Sequence, residues 1–277
     1  MNKISIIGLD STKQRLIKEL MDLGVVEISS QDSKLTDSEW MSYIERDGNE
    51  NEVLKIESEI SKVHQVLQSL DKYDRNKKPM FNLRKVVSDK DFEKAIFNKD
   101  KIEENVNSIL MLGNQINELN TEENKTVSYI MSLRPWVNYK LPFELNETRF
   151  TSIFLGVVPG IVSVEKLIAD IETLTGRCYI DLIGSDKDQY YLSIICLKNE
   201  KEEVFDILKQ YSFNSVSFKD IEGTAAENIA EYEKRISGIN KEREELESQI
   251  SSFVNYKYDI QLLYDYMIIE KDKSKIL

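Results

Sequence analysis

Residues 229–267 read IAEYEKRISGINKEREELESQISSFVNYKYDIQLLYDYM, and the spacing of their apolar positions decides the architecture. Ile229, Tyr232, Ile236, Ile239, Leu246, Ile250, Phe253, Ile260, Tyr264 and Met267 follow one another in steps of three and four, with Arg243 and Lys257 at the two places the series would otherwise skip. An apolar repeat averaging 3.5 residues keeps one stripe turned toward a partner helix. The stretch therefore predicts a return coiled-coil helix over 224–267, its repeat roughly 55–60 Å long at ~1.5 Å rise per residue. Helices of matching period lie upstream, with an α/β segment between them in sequence. The chain thus reads as a lobe carried on an arm, a mechanical design more than a catalytic one.

Working outward, Val53, Ile56, Ile60, Val63, Leu67 and Leu70 alternate in steps of three and four and predict the first arm helix. A short helix is expected over 89–97 and a long one over 101–134, with Ile102, Val106, Ile109, Leu112, Ile116, Leu119, Ile130 and Leu133 on its seam. The step 109–112–116 leaves the strict heptad beside Gly113, where overwinding or a bend is expected. Pro135 ends that helix, and Trp136 is expected to pack where arm meets lobe. The outgoing arm spans 49–136.

From 137 to 223 the period changes. Strands are predicted over 150–158, 177–183, 189–197 and 214–218. One helix is capped by Ser163 and runs to 175. A second is capped by Asn199 with Glu202 and runs to 211. Gly184-Ser185-Asp186-Lys187-Asp188 forms a hairpin loop rich in turn formers. This β-α-β-β-α-β order is that of a ferredoxin-like sandwich. At the other end, 4–9 reads as a buried strand. Ser11 with Gln14 forms a capping-box signature, Leu16, Ile17, Leu20, Met21 and Leu23 line one helix face, Gly24 terminates that helix, and 25–28 is a second strand. Two strands cannot close a core. The proximal lobe over 1–48 is therefore expected to be incomplete, to draw on 268–277, and to be cut before it is finished. The fold class is α+β: a long antiparallel helical bundle, or coiled-coil arm, joins an incomplete N-terminal βαβ lobe to a ferredoxin-like distal lobe.

Composition narrows the function. Of 277 residues, 31% are charged and 41% hydrophobic, which suits narrow apolar seams better than one thick core. A formal charge of −12 argues against nucleic acid, whose phosphates require clustered Lys and Arg. Two cysteines, Cys178 and Cys196, are too few for a disulfide scaffold and point to a reducing compartment. The apolar run at the N-terminus is too short for a signal peptide, and no run approaches the ~18 apolar residues of a membrane span.

Met1-Asn2-Lys3-Ile4-Ser5-Ile6-Ile7-Gly8 followed by Leu20-Met21-Asp22-Leu23-Gly24-Val25-Val26-Glu27-Ile28 resembles the start of subunit I (subunit a) of prokaryotic V-type and A-type ATPases. Arg134-Pro135-Trp136 and Phe154-Leu155-Gly156-Val157-Val158-Pro159 resemble that family at the expected places. The resemblance implies a cytosolic stator arm on the cytoplasmic face of a membrane-bound complex, with proximal and distal lobes joined by helices. Its partners would be the peripheral-stalk E/G heterodimers, the central-stalk cap subunit, and, in the full protein, the membrane half of the same subunit and the rotor ring. The family's membrane half, with its proton-path arginine, has no counterpart in these residues. No arginine here takes that role, and ion translocation stays with the assembled complex.

No catalytic, cofactor-binding or metal-ligating set emerges. Gly8-Leu9-Asp10-Ser11-Thr12-Lys13 follows a strand and opens a helix but lacks the second glycine of a phosphate loop, so it reads as a capped turn. His64 is the single histidine and falls on a helix flank beside Val63. Cys178 and Cys196 share strand faces with Ile180, Leu182, Leu192 and Ile194 and read as buried, reduced thiols. Glu242, Glu244, Glu245 and Glu247 make a solvated coil flank. Arg75, Lys77, Lys78, Arg84 and Lys85 are a basic cluster in an acidic chain: either a solvated loop or a dock for an acidic stalk helix or lipid headgroups. Two other readings compete with the stator arm. One is a small-molecule regulatory module built on the ferredoxin-like lobe. The other is a coiled-coil adaptor unrelated to ATPases, including an RNA-holding arm, which the net charge opposes.

Overall fold

The computed structural model describes residues 4, 6, 9–26, 50–74, 86–218 and 220–276. In chain order the elements are α1 (Lys13–Leu23), α2 (Glu50–Tyr73), α3 (Asp89–Phe97), α4 (Lys99–Leu133), β1 (Thr151–Pro159), α5 (Val164–Leu174), β2 (Tyr179–Ser185), β3 (Gln189–Leu197), α6 (Lys201–Gln210), β4 (Asn214–Val216), α7 (Ala225–Ser252) and α8 (Lys257–Ile276). Short 3-10 turns occupy Asp10–Thr12, Arg134–Trp136, Lys198–Glu200 and Phe253–Tyr256. The class is α+β, with long helices and a four-stranded antiparallel sheet. The chain divides into two units, Met1–Asn114 with Glu247–Leu277, and Gln115–Leu246.

In the first unit α8 packs against both α2 and α3. The α2 stripe buries Val63, Leu67 and Leu70 from the expected series, and Val66 beside them, while His64 stays exposed with its ring 5.9 Å from that of Tyr264. Because α8 faces two helices, its buried stripe is wider than a two-position seam and takes in Ile260, Leu262, Leu263 and Met267. α3 begins at Ser88, whose Oγ accepts from the Asp91 amide at 3.2 Å, and Phe92 meets Tyr266 edge-on at 6.3 Å. α4 runs unbroken through Gly113.

Three expectations are revised in this unit. The return helix is not continuous: a 3-10 turn at Phe253–Tyr256 separates α7 from α8. Ser251-Ser252-Phe253-Val254-Asn255-Tyr256 is a run of weak helix formers, so the tighter turn falls where α-helical preference is lowest. The return helix also does not stop at 267: residues 268–276, on which the incomplete N-terminal lobe is expected to draw, continue α8. At the start of α1, Ser11 lies inside a 3-10 turn instead of capping the helix, and the Thr12 hydroxyl donates to the Leu9 carbonyl at 2.8 Å. Gly24 ends α1 at φ +62°, as a glycine after a helix should. Ile4, Ile6, Leu9, Val25 and Val26 are exposed and belong to no described strand. The rest of the expected strands at 4–9 and 25–28 lies outside the described residues.

The second unit holds the expected β-α-β-β-α-β succession, with strand order β2-β3-β1-β4 and every pair antiparallel. β1 and β3 pair along their full nine residues, from Thr151 opposite Leu197 to Pro159 opposite Gln189. Strand alternation sends Val158, Leu192, Ile194 and Cys196 to a core closed by Val164, Leu167 and Ile171 of α5 and Val204 and Leu208 of α6. Leu155 and Tyr191 point the other way, into a core shared with Leu133, Trp136, Tyr139, Phe143 and Ala225. Ser163 caps α5 as expected, accepting from the Lys166 amide at 3.2 Å. For α6 the expected Asn199 cap is replaced by the turn Lys198–Glu200, with Glu200 at the N-cap position and no side-chain cap bond.

Candidate functional site

The basic cluster Arg75, Lys77, Lys78, Arg84 and Lys85 lies outside the described residues. The return seam is described throughout. Ile239, Ile250 and Ile260 are buried, and Ile229, Tyr232, Ile236, Leu246 and Phe253 are half-buried.

The charged seam positions are the informative ones. Arg243 of α7 donates to Asn120 Oδ1 at 2.9 Å and to the Glu123 carboxylate, both on α4, and also to Asn240. Glu123 falls at a seam position: counting on from Leu119 in steps of four and three lands on Glu123 and then Thr126 before Ile130. Thr126 is buried and returns its hydroxyl to the Glu122 carbonyl at 2.8 Å. In the first unit Lys257 meets Asp71 at 2.7 Å and also pairs with Asp74, the next seam position after Leu70. Burial alone would lower the Lys257 ammonium, but hydrogen bonds and charge from Asp71 and Asp74 outweigh it and hold its pKa above the ordinary lysine value. Glu123, Thr126 and Asp74 were not singled out from the sequence, although continuing the count of three and four would have found them.

Two further contacts join α4 to α7. Arg235 grips Glu122 through two bonds, at 2.6 and 2.8 Å, and reaches Glu242 at 3.0 Å. The hydrogen bond to Arg235 is the main cause of the lowered Glu122 pKa. Tyr129 and Tyr232 stack with ring centroids 5.7 Å apart.

The short motifs at the lobe have structural tasks. Trp136 is buried edge-on to Tyr191 at 5.4 Å and to Phe218 at 5.8 Å. The Pro135 carbonyl sits 3.0 Å from where a Cβ on Gly184 would be, at the register shift of β2. Asn138 donates to the Ile183 carbonyl at 3.2 Å. α7 opens with a reciprocal capping box: the Glu227 amide donates to Thr224 Oγ1 at 3.3 Å, and the Thr224 amide donates to the Glu227 carboxylate at 2.9 Å. The sequence signal was Thr224-Ala225-Ala226-Glu227.

The titratable groups of the lobe are held by local bonding. Burial, then the neighbouring Cys196 and Glu200, pushes the Cys178 thiol up to about 12, and burial also raises Cys196. Cys196 is fully buried and Cys178 partly so, and both are free thiols. Such thiols are inert toward nucleophilic chemistry at neutral pH. Glu200 is buried, accepting from Thr175 at 2.6 Å and pairing with Arg177 at 2.6 Å, which ties α6 to the end of α5. An open groove of about 640 Å³ lies beside α6 and β4, where Lys201 and Lys209 sit over the rings of Phe154 and Phe205 and Glu202 and Asp206 balance their charge. Among the described residues no three acidic, histidine or cysteine side chains are grouped to hold a metal ion, and no helix is long and apolar enough to cross a membrane.

No family model matches the chain. Among curated proteins, subunit I of the A-type ATP synthase of Methanocaldococcus jannaschii is 22% identical over 295 aligned positions, covering 99% of this chain. That of Methanothermobacter thermautotrophicus is 20% identical over 294, covering all of it. The chain is similar to A-type ATP synthase subunit I along nearly its whole length. A third subunit I, from Pyrococcus abyssi, is 27% identical over 141 positions, half of this chain. The chain spans less than half the length of the first two subunit I relatives, 42% and 44%. Among solved structures, the cytoplasmic N-terminal domain of subunit I, homolog of subunit a, of V-ATPase aligns over 97% of this chain and 85% of its own, at 15% identity and a TM-score of 0.49.

Proposed function

We propose that this chain is the stator arm of a rotary V/A-type ATPase: the non-catalytic, cytoplasmic-face part of subunit I in a proton- or sodium-translocating complex. The observation that carries this reading is similarity to two archaeal A-type ATP synthase subunits I over 99% and 100% of the chain. The physical make-up suits the task. A stator has to resist torque, and fully buried apolar side chains are worth ~1.5–3 kcal/mol each, so the seams of α2, α4, α7 and α8 give stiff struts. The ferredoxin-like lobe at 137–223 and the proximal lobe at 1–48 would present surfaces to the E/G peripheral-stalk heterodimers and the central-stalk cap. The membrane half of the same subunit would meet the rotor ring and carry the ion path.

The test is direct binding of the intact chain to purified E/G heterodimer by titration calorimetry, repeated across a salt series. Saturable binding is the expected result, and absence of binding at tens of micromolar, about the weakest affinity useful for a stalk contact, overturns the docking reading. Affinity that falls with salt assigns part of the dock to Arg75, Lys77, Lys78, Arg84 and Lys85. Affinity indifferent to salt removes that role from the cluster.

A further inference from the structure

The polar residues of the seams meet as complementary sets, and we propose that they act as pairing labels: Lys257 assigns α8 to the C-terminal end of α2 and sets its phase there, as Arg243 does for α7 on α4. An apolar heptad stripe is degenerate. Sliding one helix by seven residues, ~10.5 Å, lays the stripe back on itself with little loss of packing. A charged seam position removes that freedom when its counter-charge occurs at one place.

Such is the case here. One heptad before Asp71 and Asp74 lie His64 and Leu67, so a slipped Lys257 would lose both carboxylates and face the apolar stretch of Val63, Val66 and Leu67. One heptad to either side of Glu123 lie Ile116 and Ile130, so a slipped Arg243 would meet aliphatic side chains. The Lys257 side chain is only 23% exposed and that of Asp74 13%, so the pair is matched largely out of water, where a lone charge is strongly unfavourable.

A second observation explains why a label is needed at 257. Phe253–Tyr256 form a 3-10 turn, and an ideal 3-10 turn advances ~120° per residue where an α-helix advances ~100°, so the helix that follows leaves the phase of a continuous α-helix. The stripe of α7 therefore does not dictate the phase of α8. Lys257, the first residue of α8, stands where that phase is chosen, and α8 buries Leu262 and Leu263, which lie off the heptad series. The inference holds whatever the chain docks.

The experiment uses the full chain with Cys178→Ala and Cys196→Val, and cysteine pairs that report register on a short bismaleimide. His64→Cys with Tyr264→Cys reads the native register, since those rings lie 5.9 Å apart. Glu57→Cys with Tyr264→Cys reads a slip of one heptad. With Lys257 present, only the 64/264 pair should cross-link. With Lys257→Met helicity should be retained, because an apolar residue suits a seam, while the melting temperature should fall, because Asp74 is left largely buried without the Lys257 charge. The 64/264 yield should then fall to about half as the two registers approach equal population, and the 57/264 product should appear. Retention of the 64/264 product alone in Lys257→Met overturns the proposal. If Lys257→Met does not fold, the charge swap decides: Lys257→Asp with Asp71→Lys and Asp74→Lys should restore the native pattern that Lys257→Asp loses. A swap no better than the single variant also overturns it.

Discussion

The ring of Phe213 fills the space above Gly156: a Cβ on that glycine would fall 2.1 Å from Phe213 Cζ and 2.6 Å from the Asn214 carbonyl oxygen. Phe213 is placed there by the end of α6, where its amide reaches back to the Leu208 carbonyl at 3.1 Å and the Ser212 amide to that of Lys209 at 3.0 Å. Gly156 in turn sits opposite Ser215 in the β1–β4 ladder. A methyl group would thus push on both the ring and an edge strand. Gly156→Ala is expected to destabilise the chain by about 1–3 kcal/mol in urea unfolding, and Phe213→Leu in the same chain should return part of that loss.

The same helix end contains Ser212 at φ +56°, a left-handed position that glycine occupies without strain. Ser212→Gly should stabilise the second unit by about 0.5–1 kcal/mol, read as a raised melting temperature. An unchanged or lowered one would mean that the serine is not strained there.

The seam and its flank should respond in opposite ways. Ile239 is fully buried, and Ile239→Asp both removes an apolar side chain and buries a charge, a loss of about 3–5 kcal/mol. Glu244 is exposed, and Glu244→Ala should stay within about 0.5 kcal/mol. Circular dichroism melts of the two variants decide; an unchanged melt for Ile239→Asp would refute the coil assignment.

Acid should loosen the β2–β3 hairpin. Asp186 accepts from the Tyr191 hydroxyl at 2.7 Å and from the amides of Asp188 at 2.8 Å and Gln189 at 2.9 Å, and these bonds hold its pKa below the ordinary aspartate value, the Tyr191 bond most of all. A carboxyl with a depressed folded pKa contributes stability that is present above the unfolded value, ~3.9, and is lost as pH falls through the folded one. Glu122, Glu165 and Glu227 shift in the same direction. Asp186→Asn should lower stability at neutral pH and flatten its decline in the acid range, measured as urea midpoints at successive pH values.

Both thiols should be silent in the folded chain. With Cys178 pushed up to about 12, a fraction on the order of 10⁻⁵ is thiolate at neutral pH. Native chain should react with Ellman's reagent on the order of 1,000-fold more slowly than chain in guanidinium, where about 3% of an ordinary thiol is ionised, and equal rates would place the thiols in solvent.

Local pattern carried much of this fold. The short helix Asp89–Phe97 and the strand Gln189–Leu197 fall on the residues the sequence predicts, because cap, period and turn formers act within a few residues of themselves. The subunit I resemblance was likewise legible in short motifs, of which Gly156 and Trp136 prove to be packing constraints. The candidate site was half legible: Arg243 and Lys257 stood out as exceptions on one seam, but their partners lie more than a hundred residues away.

By itself, the sequence determined that this chain is built of seamed helices flanking a β-α-β-β-α-β segment. Periodicity and capping are local properties, written in neighbouring residues. Only the tertiary structure decided which seams meet, that α8 turns its stripe to both α2 and α3, and that the return helix is interrupted at Phe253–Tyr256. The physical reason is the degeneracy of an apolar repeat: it states that a helix must bury one side, and leaves partner, register and phase to long-range matches such as Lys257 with Asp71 and Asp74.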